Sequence, residues 1–131
     1  MSSIALTLPY PPSVNRYWRS VRGRNILSAE ARDYRRRAHA VVESNGWRVT
    51  GPVRVLFMAY APDKRRRDAD NLLKPMLDCL VNAGAIEGDD SRYVRGVSVD
   101  WGGVDSGNPR VEVVIVEVAG GDAEGRIRRT P

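Results

Sequence analysis

A chain of 131 residues has room for one domain with one real core, and its single cysteine, Cys79, excludes an intramolecular disulfide and any cysteine-based metal site. Lysine and arginine total 21 against 16 acidic residues, for a net charge of +5, and the only lysines are Lys64 and Lys74. A GC-rich genome would explain that arginine excess but not its clustering, and arginine's planar fork suits phosphate recognition. No apolar run approaches membrane-spanning length and no basic stretch leads into an apolar one at the N-terminus, so a soluble cytoplasmic protein is expected.

Ile4, Leu6 and Leu8 recur with period 2 and predict a first strand ended by Pro9. The rigid loop Pro9–Ser13 then delivers Asn15-Arg16-Tyr17-Trp18-Arg19, followed by Arg22 and Arg24. Arginines interleaved with aromatics make a nucleic-acid face if the rings stack on splayed bases; otherwise Tyr17 and Trp18 pack under the loop.

Ser28 is an N-cap candidate with Glu30 in the first turn, and the helix it opens runs to about Ser44–Asn45, where Gly46 supplies the C′ residue. Tyr34, Ala38, Val41 and Val42 form its apolar stripe, with Arg35-Arg36-Arg37 read as a solvated face and His39 as structural or surface. Val53–Tyr60 is apolar on both alternating faces apart from Arg54, which predicts a central strand covered on both sides.

The chain is organised around Pro62–Leu80. Arg65, Arg66 and Arg67 run into Asp68 and Asp70, then Asn71 and an apolar helix pattern carrying Lys74. Pro75 fits only a first turn, so the helix cap is expected at Asp70 or Asn71. Gly84 ends that helix, and the acidic loop Ala85–Ser91 follows. Tyr93–Trp101 and Val111–Val118 read as strands of a hairpin with a long loop. After residue 119 the composition turns polar, and residues 120–131 are expected to be a flexible basic tail on a domain spanning 1–119. The order β-α-β-α-β-β predicts one mixed α/β domain, a mixed sheet flanked by helices.

Aspartates two apart in an extended segment face the same side, so Asp68 and Asp70 can share a hard cation. Asp90, or its neighbour Asp89, is the natural third carboxylate after the helix returns. An all-oxygen set favours Mg2+, with Mn2+ as a substitute, over zinc. Lys74, four residues after Asp70, would stabilise developing charge or hold the attacking water, and Asp78 would be its ion-pair partner. The bland alternative has Asp70 as an N-cap, Asp68 paired with an arginine and Asp89-Asp90 as a solvated turn. The set as a whole reads as a metal-dependent nuclease, with Asn15, Arg16, Arg19, Arg65, Arg66, Arg67 and Asn71 as the DNA contacts.

The stretch R-R-R-D-A-D-N-L-L-K-P-M-L-D-C-L, the loop E-G-D-D-S and the N-terminal L-P-Y-P-P-S-V-N-R-Y-W-R together resemble the RusA family of Holliday junction resolvases, over roughly residues 4 to 118. The resemblance implies Mg2+ on Asp68, Asp70 and Asp90, an essential Lys74, a homodimer with two active sites, and symmetric nicking of four-way DNA junctions. It also implies a bacterial or phage-encoded protein. Gly88 is one residue more than the family's spacing, which leaves Asp89 and Asp90 as rivals, and Asp90 is taken. The same residues on a nuclease for flaps, duplex or RNA, or on a non-catalytic branched-DNA-binding protein, are the competing readings.

Overall fold

Strand β1 (Ser3–Pro9) buries Ile4, Leu6 and Leu8 and exposes the residues between, as its period of two requires. The computed structural model describes residues 2–118 and 127–129. A one-turn helix, α1 (Val14–Tyr17), leads into a hairpin of β2 (Trp18–Val21) and β3 (Arg24–Leu27). The long helix α2 (Ala29–Asn45) follows. Ser28 caps it as expected, its hydroxyl accepting from the Ala31 N–H at 3.0 Å. Gly46 closes it at φ 79°, a left-handed conformation that a side chain would strain, and its N–H returns to the Val42 carbonyl.

Next come the short β4 (Trp47–Val49), β5 (Val53–Ala61), helix α3 (Asp70–Asn82), β6 (Val94–Val104), β7 (Arg110–Glu117) and the short β8 (Ile127–Arg129). The main sheet has the order β1-β7-β5-β6, with β5 and β6 parallel and the other pairs antiparallel. This is the mixed α/β domain that the element order predicts. Its core lies on one face of the sheet, where Tyr34, Ala38 and Val42 of α2 and Leu72, Met76, Cys79 and Leu80 of α3 meet Val55, Phe57, Val113 and Ile115.

Three expectations need correction. First, β6 and β7 are not a hairpin: β5 lies between them and pairs with both. The β5-α3-β6 crossover is long enough to return the chain parallel to β5. The strand that buries Val111, Val113 and Ile115 takes the interior position, and β6 is left at the edge.

Second, β5 is covered on one side only among the described residues. Its outward residues Leu56 and Met58 are 43% and 37% exposed, and on the edge strand Val97 and Trp101 are 40% and 42% exposed. Third, Ala69 rather than Asp70 or Asn71 occupies the N-cap of α3, with no side-chain cap, so Pro75 sits inside the helix. Proline there removes the N–H that the Asn71 carbonyl would otherwise accept from.

The flexible tail expected from residue 120 lies mostly outside the described residues. Ile127–Arg129, which are described, form a strand antiparallel to β4, and the Arg129 guanidinium sits 5.2 Å from the Trp47 ring centre.

Candidate active site

The loop joining β5 to α3 is built by Asp63. Its Oδ1 accepts from the Arg65 N–H at 2.9 Å and from Arg67 Nη2 at 2.8 Å, while Arg67 Nη1 donates to the carbonyls of Asp63 and Arg65. The Arg65 N–H first, and then the Arg67 guanidinium, hold the Asp63 carboxyl below the usual carboxylate range. Arg67 also lies 5.7 Å from the Tyr10 ring centre. Of the three successive arginines, Arg67 is therefore a structural strut, whereas Arg65 and Arg66 point into solvent.

A cleft of about 700 Å³ opens beside this loop. The Pro9–Ser13 turn and α1 supply one wall through Tyr10, Asn15 and Arg16; the other holds Arg65, Arg66, Arg67, Asp68 and Asn71. The structure thus brings six of the seven expected DNA contacts to one cleft, and the seventh, Arg19, is exposed on β2 just beyond it. Tyr17 is not available for base stacking, being fully buried and edge-on to the half-buried Trp18 at 5.5 Å.

Asp68 lines the cleft, and Asp70 is the first helical residue, at the positive end of α3. They do not share one side of an extended segment. Ala69 is helical at φ −61° and ψ −36°, and the Asn71 N–H already bonds the Asp68 carbonyl, so the chain coils between the two carboxylates. Among the described residues neither side chain has a hydrogen bond or ion pair, so Asp68 is not paired with an arginine and Asp70 does not cap.

Asp90 is elsewhere. The Val53 N–H bonds the Tyr93 carbonyl at 2.6 Å, which fixes the Asp90–Tyr93 turn at the start of β5, whereas Asp68 and Asp70 follow its end. The length of β5, about 26 Å, separates them. Asp90 Oδ1 accepts from the Arg92 N–H and Nε, and Oδ2 from Nη2 at 2.9 Å; these bonds hold its carboxyl below the ordinary range. Asp89 is exposed. Accordingly, no group of three His, Cys, Asp or Glu side chains is close enough to hold a metal among the described residues.

Lys74 is exposed one turn along α3, and Asp78 is not its partner. Arg35 of α2 and the Tyr17 hydroxyl hold the Asp78 carboxylate instead.

The family model for the endodeoxyribonuclease RusA matches residues 9–116, from the end of β1 through nearly all of β7. The chain belongs to the RusA family. A crossover junction endodeoxyribonuclease rusA of Enterobacteria phage HK97 is 37% identical over 108 residues, covering 78% of this chain and 90% of the phage protein. Proteins named crossover junction endodeoxyribonuclease RusA in Shigella sonnei strain Ss046 and in Escherichia coli strain K12 are each 42% identical over 87 residues, covering 64% of this chain and 72% of theirs. The span matched to the RusA model contains both walls of the cleft, the whole of α3 and the Asp90 turn. This RusA-family chain is therefore an endodeoxyribonuclease, and its solvent-facing, unpaired carboxylates sit where an arginine-lined cleft meets a helix N-terminus.

Among the network residues, Tyr17, Arg35 and Asp63 give no sequence signal of their own. Each is a polar residue whose partner lies on another element or in a turn.

Proposed function

We propose that this protein is a Mg2+-dependent endonuclease that, as a homodimer, resolves four-way DNA junctions by paired symmetric nicks in the cytoplasm of a bacterial or phage-infected cell. The observation that carries the reading is the pair of free carboxylates, Asp68 and Asp70, beside a cleft whose exposed cations are Arg16, Arg65 and Arg66. Two carboxylates with open water around them suit Mg2+, which commonly takes one or two protein oxygens and fills the rest of its shell with water and substrate phosphate. When bound there it would supply charge neutralisation at the phosphate and a water acidic enough to attack at neutral pH.

The chain's own groups do the positioning. Arg65 and Arg66 take phosphates flanking the cut: among the described residues Arg66 has no acidic partner, and Arg65 reaches only Asp63, at 3.9 Å. Lys74, one turn from Asp70 on α3, stabilises negative charge as the phosphate is attacked or holds the attacking water. Asn15 and Asn71 orient the backbone through their amides.

A second copy completes the set. Among the described residues strand β6 is a long unpaired edge carrying exposed Val97, Trp101 and Val104, which single soluble domains avoid. Isologous pairing of two such edges would run the β6 strands antiparallel, setting the start of one beside the end of the other. That arrangement carries Asp90 of the second copy towards Asp68 and Asp70 of the first, and gives two matched sites.

Cleavage of a labelled immobile junction in Mg2+ and in EDTA tests the proposal, with linear duplex and Asp70→Asn protein alongside. Paired Mg2+-dependent nicks in opposite strands of the junction, and none from Asp70→Asn while it still binds, is the expected result. Equal cutting of duplex would remove junction resolution, and cutting in EDTA would remove the metal.

A further inference from the structure

The β2–β3 hairpin follows α1, which lines the cleft, and among the described residues its tip, Arg22-Gly23, makes no side-chain hydrogen bond or ion pair. Its base is fixed: the Ser28 N–H bonds the Tyr17 carbonyl at 3.0 Å, the Ser28 hydroxyl donates to the Arg16 carbonyl, and Trp18 and Leu27 pack on the core. The tip is a two-residue turn, Arg22-Gly23, with φ 52° and 75° at its two positions. Both are left-handed, as the tight turn that suits twisted strands requires.

The register pairs Arg19 with Ile26 and Val21 with Arg24. These four side chains therefore share the face opposite the anchoring Trp18 and Leu27. All four are exposed, Val21 at 37% and Ile26 at 39%. Among the described residues Arg19, Arg22 and Arg24 have no acidic partner, and residues 14–29 contain no acid at all. The outer face thus alternates unpaired guanidinium groups with branched apolar groups.

We propose that this hairpin is a branch-point wedge: Arg19, Arg22 and Arg24 straddle the phosphates of two diverging strands, while Val21 and Ile26 cover the base-pair face opened where they part. The inference rests on the junction reading above and adds the residues that recognise the branch. A two-stranded ribbon also fits the major groove of plain duplex, but there it meets polar base edges, which Val21 and Ile26 match poorly. An opened base pair presents a broad apolar face, which proteins that unstack DNA meet with such side chains. The geometry agrees: α1 lines the cleft with Asn15 and Arg16 and runs straight into β2, so strand cutting and branch recognition would lie side by side.

The test is binding to a four-way junction carrying 2-aminopurine at the branch point, in EDTA so that no strand is cut. Wild-type protein should raise the fluorescence by unstacking the probe base. Val21→Ser/Ile26→Ser and Val21→Ala/Ile26→Ala proteins should abolish that rise with unchanged thermal melting, while their affinity for linear duplex stays within about twofold. The triple variant Arg19→Ala/Arg22→Ala/Arg24→Ala should flatten the salt dependence of junction affinity by roughly two to three units of slope. An undiminished rise in both apolar variants, or an equal rise on probe-labelled linear duplex, would overturn the wedge and leave junction cleavage standing. Wild-type protein that cuts junction and duplex alike in Mg2+ would overturn both.

Discussion

Tyr17 of α1 and Arg35 of α2 grip the same oxygen of Asp78 on α3: the Tyr17 hydroxyl donates to Oδ2 at 2.9 Å, and Arg35 Nε and Nη2 donate to it at 2.8 and 2.5 Å. One carboxylate therefore sets the spacing between the segment bearing Asn15 and Arg16 and the helix bearing Asp70 and Lys74. Asp78→Ala would leave a guanidinium and a buried hydroxyl without their acceptor, at a cost of about 1–3 kcal/mol. Tyr17→Phe, which removes one donor and keeps the ring, should cost ~1 kcal/mol. Urea unfolding of both variants measures the difference, and equal stabilities for Asp78→Ala and wild type would show that the network holds nothing.

Alkaline stability follows from the same region. Burial pushes the Cys79 thiol up from 9.0 to about 11, and burial likewise raises the Tyr17 and Tyr34 hydroxyls above their ordinary value. A raised folded-state value means that the fold holds these protons more tightly than the open chain does. The Cys79 contribution is thus fully present below 9.0 and is lost as pH climbs towards about 11. Urea midpoints should be flat with pH up to that window and fall across it. In Cys79→Ala the fall should be shallower, the tyrosines supplying what remains. The same burial predicts a thiol inert to iodoacetamide in the native protein at about pH 8.

If each site draws Asp90 from a second copy, two dead proteins should rescue each other. Asp70→Asn and Asp90→Asn homodimers are each expected to be inactive, but the mixed dimer contains one wholly intact site. Mixing after co-refolding should restore single-strand nicking without full resolution. A site assembled within one chain would leave the mixture inactive. Trp101→Arg, placed on the bare β6 edge, should shift the protein from dimer to monomer on size-exclusion chromatography with light scattering and abolish cleavage with it.

Neighbouring arginines should behave differently. Arg66→Ala removes an unattached cation, so junction affinity should weaken and its salt slope fall by about 0.9, one phosphate's share. Arg67→Ala removes the strut on Asp63 and Tyr10, and is expected to lower the melting temperature as well. Fluorescence anisotropy across a salt series, paired with thermal melts, separates the two.

The ends of α2 are legible in the sequence because a hydroxyl cap at Ser28 and a left-handed glycine at Gly46 are local signals that no distant contact overrides. The arginine-lined cleft is legible for a similar reason, since its walls come from two short runs of sequence. The β2–β3 hairpin is not: four-residue strands rich in arginine have too few positions for a period to register. Partner choice in the sheet is also hidden. Alternation identifies β6 and β7 as strands but carries no information on which neighbour each takes, and the crossover through α3 decides it. The placement of Asp90 fails for the same reason. A return of the chain after Gly84 looks like a return to Asp68, but the intervening helix is long enough to carry it to the far end of β5.

Strand β7 pairs with β1 along one edge and β5 along the other, and it is the last long strand in the chain. During translation, β1 waits for the whole intervening chain before its only main-sheet neighbour exists, an interval of about 5–20 s at ordinary elongation rates. A nascent fragment ending before β7 lacks the shared neighbour of β1 and β5 and the core residues Val111, Val113 and Ile115. Synthesis of β7 is therefore the step at which β1 can join the sheet, and a chain stopped before it lacks the strand that links β1 to β5.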